Sequence, residues 1–136
     1  MKKILLSVFL TCSFLCVNAD KPWKVCLTCP KEKIDLNLDL YEESISVPGL
    51  EMFGPMNGFM AGNIYGVWYV TGFKIQSDRE ATVKVGNDLG SENQTIHLIQ
   101  NTDTTWIMKF EGQQVVKRVK GKKLVKIPSE FTMKVK

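Results

Sequence analysis

Two cysteines, Cys26 and Cys29, stand three apart in the stretch WKVCLTCPKEK, residues 23–33. That spacing serves three chemistries: thiol–disulfide exchange, half of a metal site, or a structural crosslink. A redox pair needs a thiolate held at a helix N-terminus within a βαβ unit. Here Pro30 and Lys31-Glu32-Lys33 lead into an alternating strand instead. A zinc site needs two further ligands, yet the chain has no second C-x-x-C, and its one histidine, His97, lies far along the sequence. The expectation is therefore a disulfide between Cys26 and Cys29 that fixes an N-terminal segment, 20–33. Redox exchange by the same pair is the alternative.

No other residues form a reactive constellation. His97 alternates with Ile96 and Leu98, which puts it on the far side of a strand from the core. Asp35 and Asp39 in IDLNLDLY share a face with Asn37, which predicts a solvated edge rather than an acid–base couple. There is no G-x-S-x-G, phosphate-binding glycine loop or H-E-x-x-H. The reading is non-enzymatic, with no cofactor and no metal.

Residues suited to binding are easier to find. In LEMFGPMNGFMAGNI, residues 50–64, Met52, Phe53, Met56 and Phe59 gather adaptable apolar side chains among glycines that oppose a helix. They suit a plug over one end of a core or a partner surface. Near the C-terminus Lys117, Arg118, Lys120, Lys122 and Lys123 surround Gly121, a turn signal. From Asp20 to Gly112 there are 8 basic and 13 acidic residues, net −5; from Gln113 to Lys136 there are 8 basic and 1 acidic, net +7. The basic end can cover the acidic remainder or face an anionic partner. With Lys2 and Lys3 set aside, 16 basic and 14 acidic residues leave a balance too even for a dedicated nucleic-acid binder.

The elements that position these residues follow from periodicity. Met1-Lys2-Lys3, an apolar run from Ile4 to Val17, and small residues at Val17 and Ala19 read as a secretory signal peptide, residues 1–19, cleaved after Ala19. The mature chain has no apolar stretch long enough to span a bilayer. Residues 34–136 read as a single β domain. Ile34–Tyr41 alternates strictly, and strand signals recur over Tyr65–Ile75, Arg79–Val85, Thr95–Gln100, Thr105–Phe110, Gln114–Lys120, Leu124–Ile127 and Phe131–Val135. Gly72 marks a bulge. Short strands separated by turns predict an all-β protein, a small antiparallel β-barrel or sandwich of about seven to eight strands.

Gly66-Val67-Trp68-Tyr69 resembles the G-x-W-Y that opens the first barrel strand of lipocalins and related calycin barrels. The resemblance implies a closed barrel with the Trp68 side chain closing one end. It implies a late basic residue, Arg118 or a neighbouring lysine, packed across that end, and an apolar ligand or a protein partner at the mouth. A strand and the Met/Phe segment precede the motif here, which departs from the family's order.

The functional expectation is a secreted or periplasmic binding protein for an envelope protein, a glycan or a small apolar ligand. Inhibition of an envelope-directed enzyme falls within that class. Two alternatives stand beside it: the thiol–disulfide protein, and a peripheral protein of the membrane surface using its basic C-terminal region.

Overall fold

The computed structural model describes Val17–Asn18 and residues 21–136. The expected signal peptide falls almost wholly outside these. Only the backbone of Val17–Asn18 (β1) is described, paired with the next strand.

Eight antiparallel strands close into a barrel. They are β2 (Lys21–Cys29), β3 (Ile34–Asp39), β4 (Gly58–Gly62), β5 (Trp68–Ser77), β6 (Glu80–Asn87), β7 (Asn93–Gln100), β8 (Thr105–Glu111) and β11 (Glu130–Val135). Two further strands, β9 (Lys117–Lys120) and β10 (Lys123–Lys126), form a separate two-stranded hairpin between β8 and β11. The ladder runs β2-β11-β8-β7-β6-β5-β4-β3 and closes by β2 pairing β3. Among the described residues no helix is long and apolar enough to cross a membrane.

Alternation fills the interior. Trp23, Val25 and Leu27 point inward from β2; Ile34, Leu36 and Leu38 from β3; Met60 from β4; Trp68 and Val70 from β5. Ala81, Val83 and Val85 on β6, Ile96 and Leu98 on β7, and Trp106, Met108 and Phe110 on β8 complete the wall with Phe131 and Met133 of β11. Phe110 and Phe131 meet edge to face with ring centroids 5.7 Å apart. Large side chains thus occupy the lumen, as an eight-stranded barrel allows. The outer face carries Lys24, Thr28, Asn37, Lys84, His97, Lys109 and Lys134.

Within the segment 20–33, Lys21–Cys29 is not the stapled N-terminal extension that its cysteines suggest but a barrel strand, β2, followed by a turn, and the expected disulfide is absent. Cys26 lies on the outer, half-buried side and Cys29 on the inner, buried side of one continuous strand. Three steps along an extended chain separate their Cα atoms by about 10 Å, and a disulfide tolerates under about 7 Å. The same geometry removes a vicinal redox couple.

Two seams are narrow. β4 meets β5 only at Phe59–Tyr69 and Met60–Trp68, and β11 meets β2 only at Lys134–Thr28 and Val135–Leu27. The other ladders run at least five residues. β4 fits against β3 because Gly58 and Gly62 carry no side chain: a Cβ would sit 2.1 Å from the Asn37 carbonyl oxygen at Gly58 and 2.2 Å from that of Lys33 at Gly62.

Candidate functional site

The Met/Phe segment divides between core and surface. Met60 is fully buried, Met56 and Phe59 are half-buried, and Met52 and Phe53 are 83% and 68% exposed. The exposed pair rides on a short 3₁₀ turn, Glu51–Phe53, within an excursion between β3 and β4. That excursion is pinned at its base. The Asp39 amide donates to the Asn57 carbonyl (2.8 Å), and the Asn57 side-chain amide donates back to the Asp39 carbonyl (3.0 Å). Ile45 and Met56 exchange backbone hydrogen bonds at 2.9 and 2.7 Å, and Val47 is buried.

Asp39 is the anchor. It is not on the wet face expected from alternation; its side chain is 1% exposed. Burial alone would raise its pKa. The Ser44 hydroxyl (2.5 Å), the amides of Tyr41 (3.1 Å) and Glu42 (3.2 Å), and Lys24 (4.0 Å) outweigh that and hold it below the ordinary carboxylate value.

Opposite the excursion stands Tyr69, whose ring lies over Gly86 of β6. Leu50, Phe53 and Met56 on one side, and Tyr69, Asn87, Asp88 and Gly90 on the other, enclose a groove of about 380 Å³. Leu89, 59% exposed, stands in the same turn. This turn is held firmly. Asn87 donates from Nδ2 to the Tyr65 carbonyl (3.1 Å) and accepts from the Leu89 amide (2.7 Å); Asp88 accepts from the Val67 amide (2.8 Å). Gly66, at φ +83°, permits the approach: a Cβ would lie 2.6 Å from Asn87 Oδ1. Sequence periodicity does not single out Leu50, Tyr69, Asn87 or Asp88, although Gly86, Asn87, Asp88 and Gly90 are turn-forming residue types.

The basic residues occupy the β9–β10 hairpin. Gly121, at φ +65°, takes the first of its two loop positions, as a type II′ turn requires. Lys120, Lys122 and Lys123 are exposed and Lys117 is half-buried. Arg118 is diverted from the cluster. Its Nη2 donates to the Glu32 carboxylate (2.9 Å) and carbonyl (3.1 Å), and its Nε to the Asn63 carbonyl (2.9 Å). Trp68 is buried core, 1% exposed, with its indole N–H on the Tyr65 carbonyl at 3.0 Å. Tyr65 joins the two surfaces, since its amide donates to the Lys117 carbonyl (2.8 Å) while its carbonyl accepts from Asn87.

His97 is clamped on the outer wall between Glu80 of β6 (Nε2–Oε2 2.6 Å) and Glu111 of β8 (Nδ1–Oε1 3.4 Å). The ring ties three strands, an arrangement with a structural purpose. Among the described residues no group of three or more His, Cys, Asp or Glu side chains could hold a metal ion. No protein-family model, no curated protein and no solved structure matches this chain.

Proposed function

We propose that the protein is a non-enzymatic binding protein of the secreted or periplasmic space, and that it takes a protein partner along the groove beside Met52 and Phe53. One observation carries the reading: two adjacent large apolar side chains, 83% and 68% exposed, sit on a pinned turn beside a groove. Burying such a side chain is worth about 1.5–3 kcal/mol, and a surface that forgoes this gain next to a shaped groove has the anatomy of a contact site. The packed lumen supports it, because recognition then falls to the outside of the barrel. The leader-like N-terminus supports the compartment.

The test is a photo-crosslinking residue at Leu89, used on the envelope fraction with the parent chain and with Met52→Ser/Phe53→Ser. Both changes are at exposed positions, so melting should be unaffected. The parent should yield a discrete crosslinked protein, and the double variant should bind it about thirtyfold more weakly or worse, the loss typical of a hot-spot pair. Equal capture by both chains would remove the groove from consideration. Capture of a glycan or small apolar molecule instead would move the reading to those ligands.

A further inference from the structure

The β9–β10 hairpin carries an inference of its own, independent of the groove. Residues 113–129 contain six basic side chains and no acidic one. Among the described residues only Arg118 of these six makes an ion pair; Lys117, Lys120, Lys122, Lys123 and Lys126 make none. The acidic remainder of the chain, net −5 over Asp20–Gly112, is therefore not what the five lysines answer.

Their register is the more telling fact. Lys117 lies directly across from Lys126, and Lys120 directly across from Lys123. Like charges placed opposite each other destabilise a strand pair, and a lone two-stranded ribbon is marginal in water to begin with. This one survives because its base is fastened. Gln114 donates to the Ile127 carbonyl (2.9 Å), the Val115 amide donates to Gln94 (2.8 Å), Val116 and Ile127 are buried, and Arg118 grips Glu32. Between the two lysine pairs lie Arg118 across from Val125 and Val119 across from Leu124, the latter two residues 51% and 49% exposed. By strand alternation Val119 and Leu124 share a face with Lys117 and Lys126, and Lys120 and Lys123 lie on the other.

From this arrangement we propose that the hairpin is a membrane-surface anchor, which lays Val119 and Leu124 into the headgroup region of an anionic bilayer while its lysines engage phospholipid phosphates. The chemistry favours a bilayer over an acidic protein. Flexible ammonium groups, Lys117 and Lys126 on the face of the apolar pair and Lys122 at the turn, suit a laterally mobile field of negative charge, whereas the planar, fork-shaped arginine suited to fixed carboxylates is held by Glu32. An apolar pair framed by lysines matches the amphipathic demand of the interface. Contact with anionic headgroups also relieves the repulsion between Lys117 and Lys126, which share the face of Val119 and Leu124, so the surface that binds the hairpin also steadies it.

The experiment is flotation of the purified chain with phosphatidylcholine vesicles, with and without phosphatidylglycerol. An environment-sensitive dye is attached at Leu124→Cys in a parallel sample. The parent should float with the mixed vesicles and lose that preference as salt rises, because screening shortens the reach of each charge. Lys117→Gln/Lys122→Gln/Lys126→Gln, at the turn and on the face of Val119 and Leu124, should weaken binding about a hundredfold, at roughly a factor of five per lysine. It should also leave melting unchanged or raise it, since one like-charge pair is gone. Val119→Ser/Leu124→Ser should weaken binding while keeping the salt dependence, and the dye should shift to the blue on anionic vesicles only. No preference for anionic over neutral vesicles, parent-like binding by the triple variant, or binding to soluble polyglutamate with none to vesicles would each overturn the proposal.

Discussion

Three tryptophans are buried in the lumen, and they differ in what each indole N–H meets. Trp23 donates to the Ser77 carbonyl at 2.9 Å and Trp68 to the Tyr65 carbonyl at 3.0 Å. Trp106 Nε1, equally buried, meets no acceptor among the described residues. Leaving a buried donor unpaired costs about 1–3 kcal/mol, so Trp106→Phe removes that cost while shrinking the core. It should be the mildest of the three Trp→Phe changes, and Trp23→Phe, which severs a tie between distant strands, should be worse; denaturant unfolding ranks them. The two aspartates with lowered pKa values give a pH prediction. For Asp35, burial raises the pKa, and the Thr28 and Lys136 side chains more than reverse this; Asp39 behaves likewise. Each carboxyl is more acidic folded than unfolded, so its contribution is complete above the unfolded value of about 3.9 and is lost as pH falls through the folded one. Stability should decline from about pH 5 downward, and Asp39→Asn should start lower and show a flatter acid limb. An unchanged acid slope in that variant would remove Asp39 as its source. As for the cysteines, peptide mapping without reductant should find no crosslink between Cys26 and Cys29, and in the native protein Cys29, 6% exposed, should be slow to alkylate.

At the scale of the element, legibility depended on whether polar residues punctuated the apolar ones. β3 was plain because Asp35 and Asn37 separate its inward residues, and β8 because Lys109 and flanking Thr105 and Glu111 set off its large apolar ones. β2 alternates as well, with Trp23, Val25, Leu27 and Cys29 inward, but the C-x-x-C inside it drew attention to linkage chemistry. β4 was hidden by Gly58 and Gly62, which weaken strand propensity yet are the residues that let it lie against β3. Gly62→Ala should accordingly cost about 2–4 kcal/mol, for steric clash and for its φ of +127° together; thermal melting measures it, and a neutral result would mean that β3 and β4 can move apart freely. The candidate surfaces were half legible. The run of basic residues fixed the hairpin's charge, but only register reveals which lysines oppose each other and that Arg118 leaves the group. Met52 and Phe53 were visible as candidates, whereas the wall that Phe53 faces comes from residues more than fifteen positions away, beyond the reach of local pattern.

For the whole molecule, strand count, antiparallel order and a small barrel as one of two architectures were within reach of the sequence, since turns recur along the chain; the strand that closes the barrel was not, because closure depends on β2, read as a separate stapled segment, meeting both β3 and β11. The two narrow seams have a consequence for how the barrel comes apart. They divide the wall into a leaf of β2, β3 and β4, all within residues 21–62, and a leaf of β5 to β8 with β11, all within residues 68–135. Each leaf is contiguous in the chain and can form through local hairpins, with the long-range seams shut last, as loop-closure entropy favours. Across the divide Trp23 reaches Ser77 and Arg118 reaches Glu32 and Asn63, like latches on a clamshell. Native-state hydrogen exchange should resolve two cooperative units, with the smaller leaf opening at lower free energy, and Arg118→Ala should deprotect β3 and β4 before it touches β6 and β7. The clasp that anchors the lysine-bearing hairpin is thus also a clasp of the barrel, and tension applied at the hairpin would be felt first as loosening of the chain's opening strands.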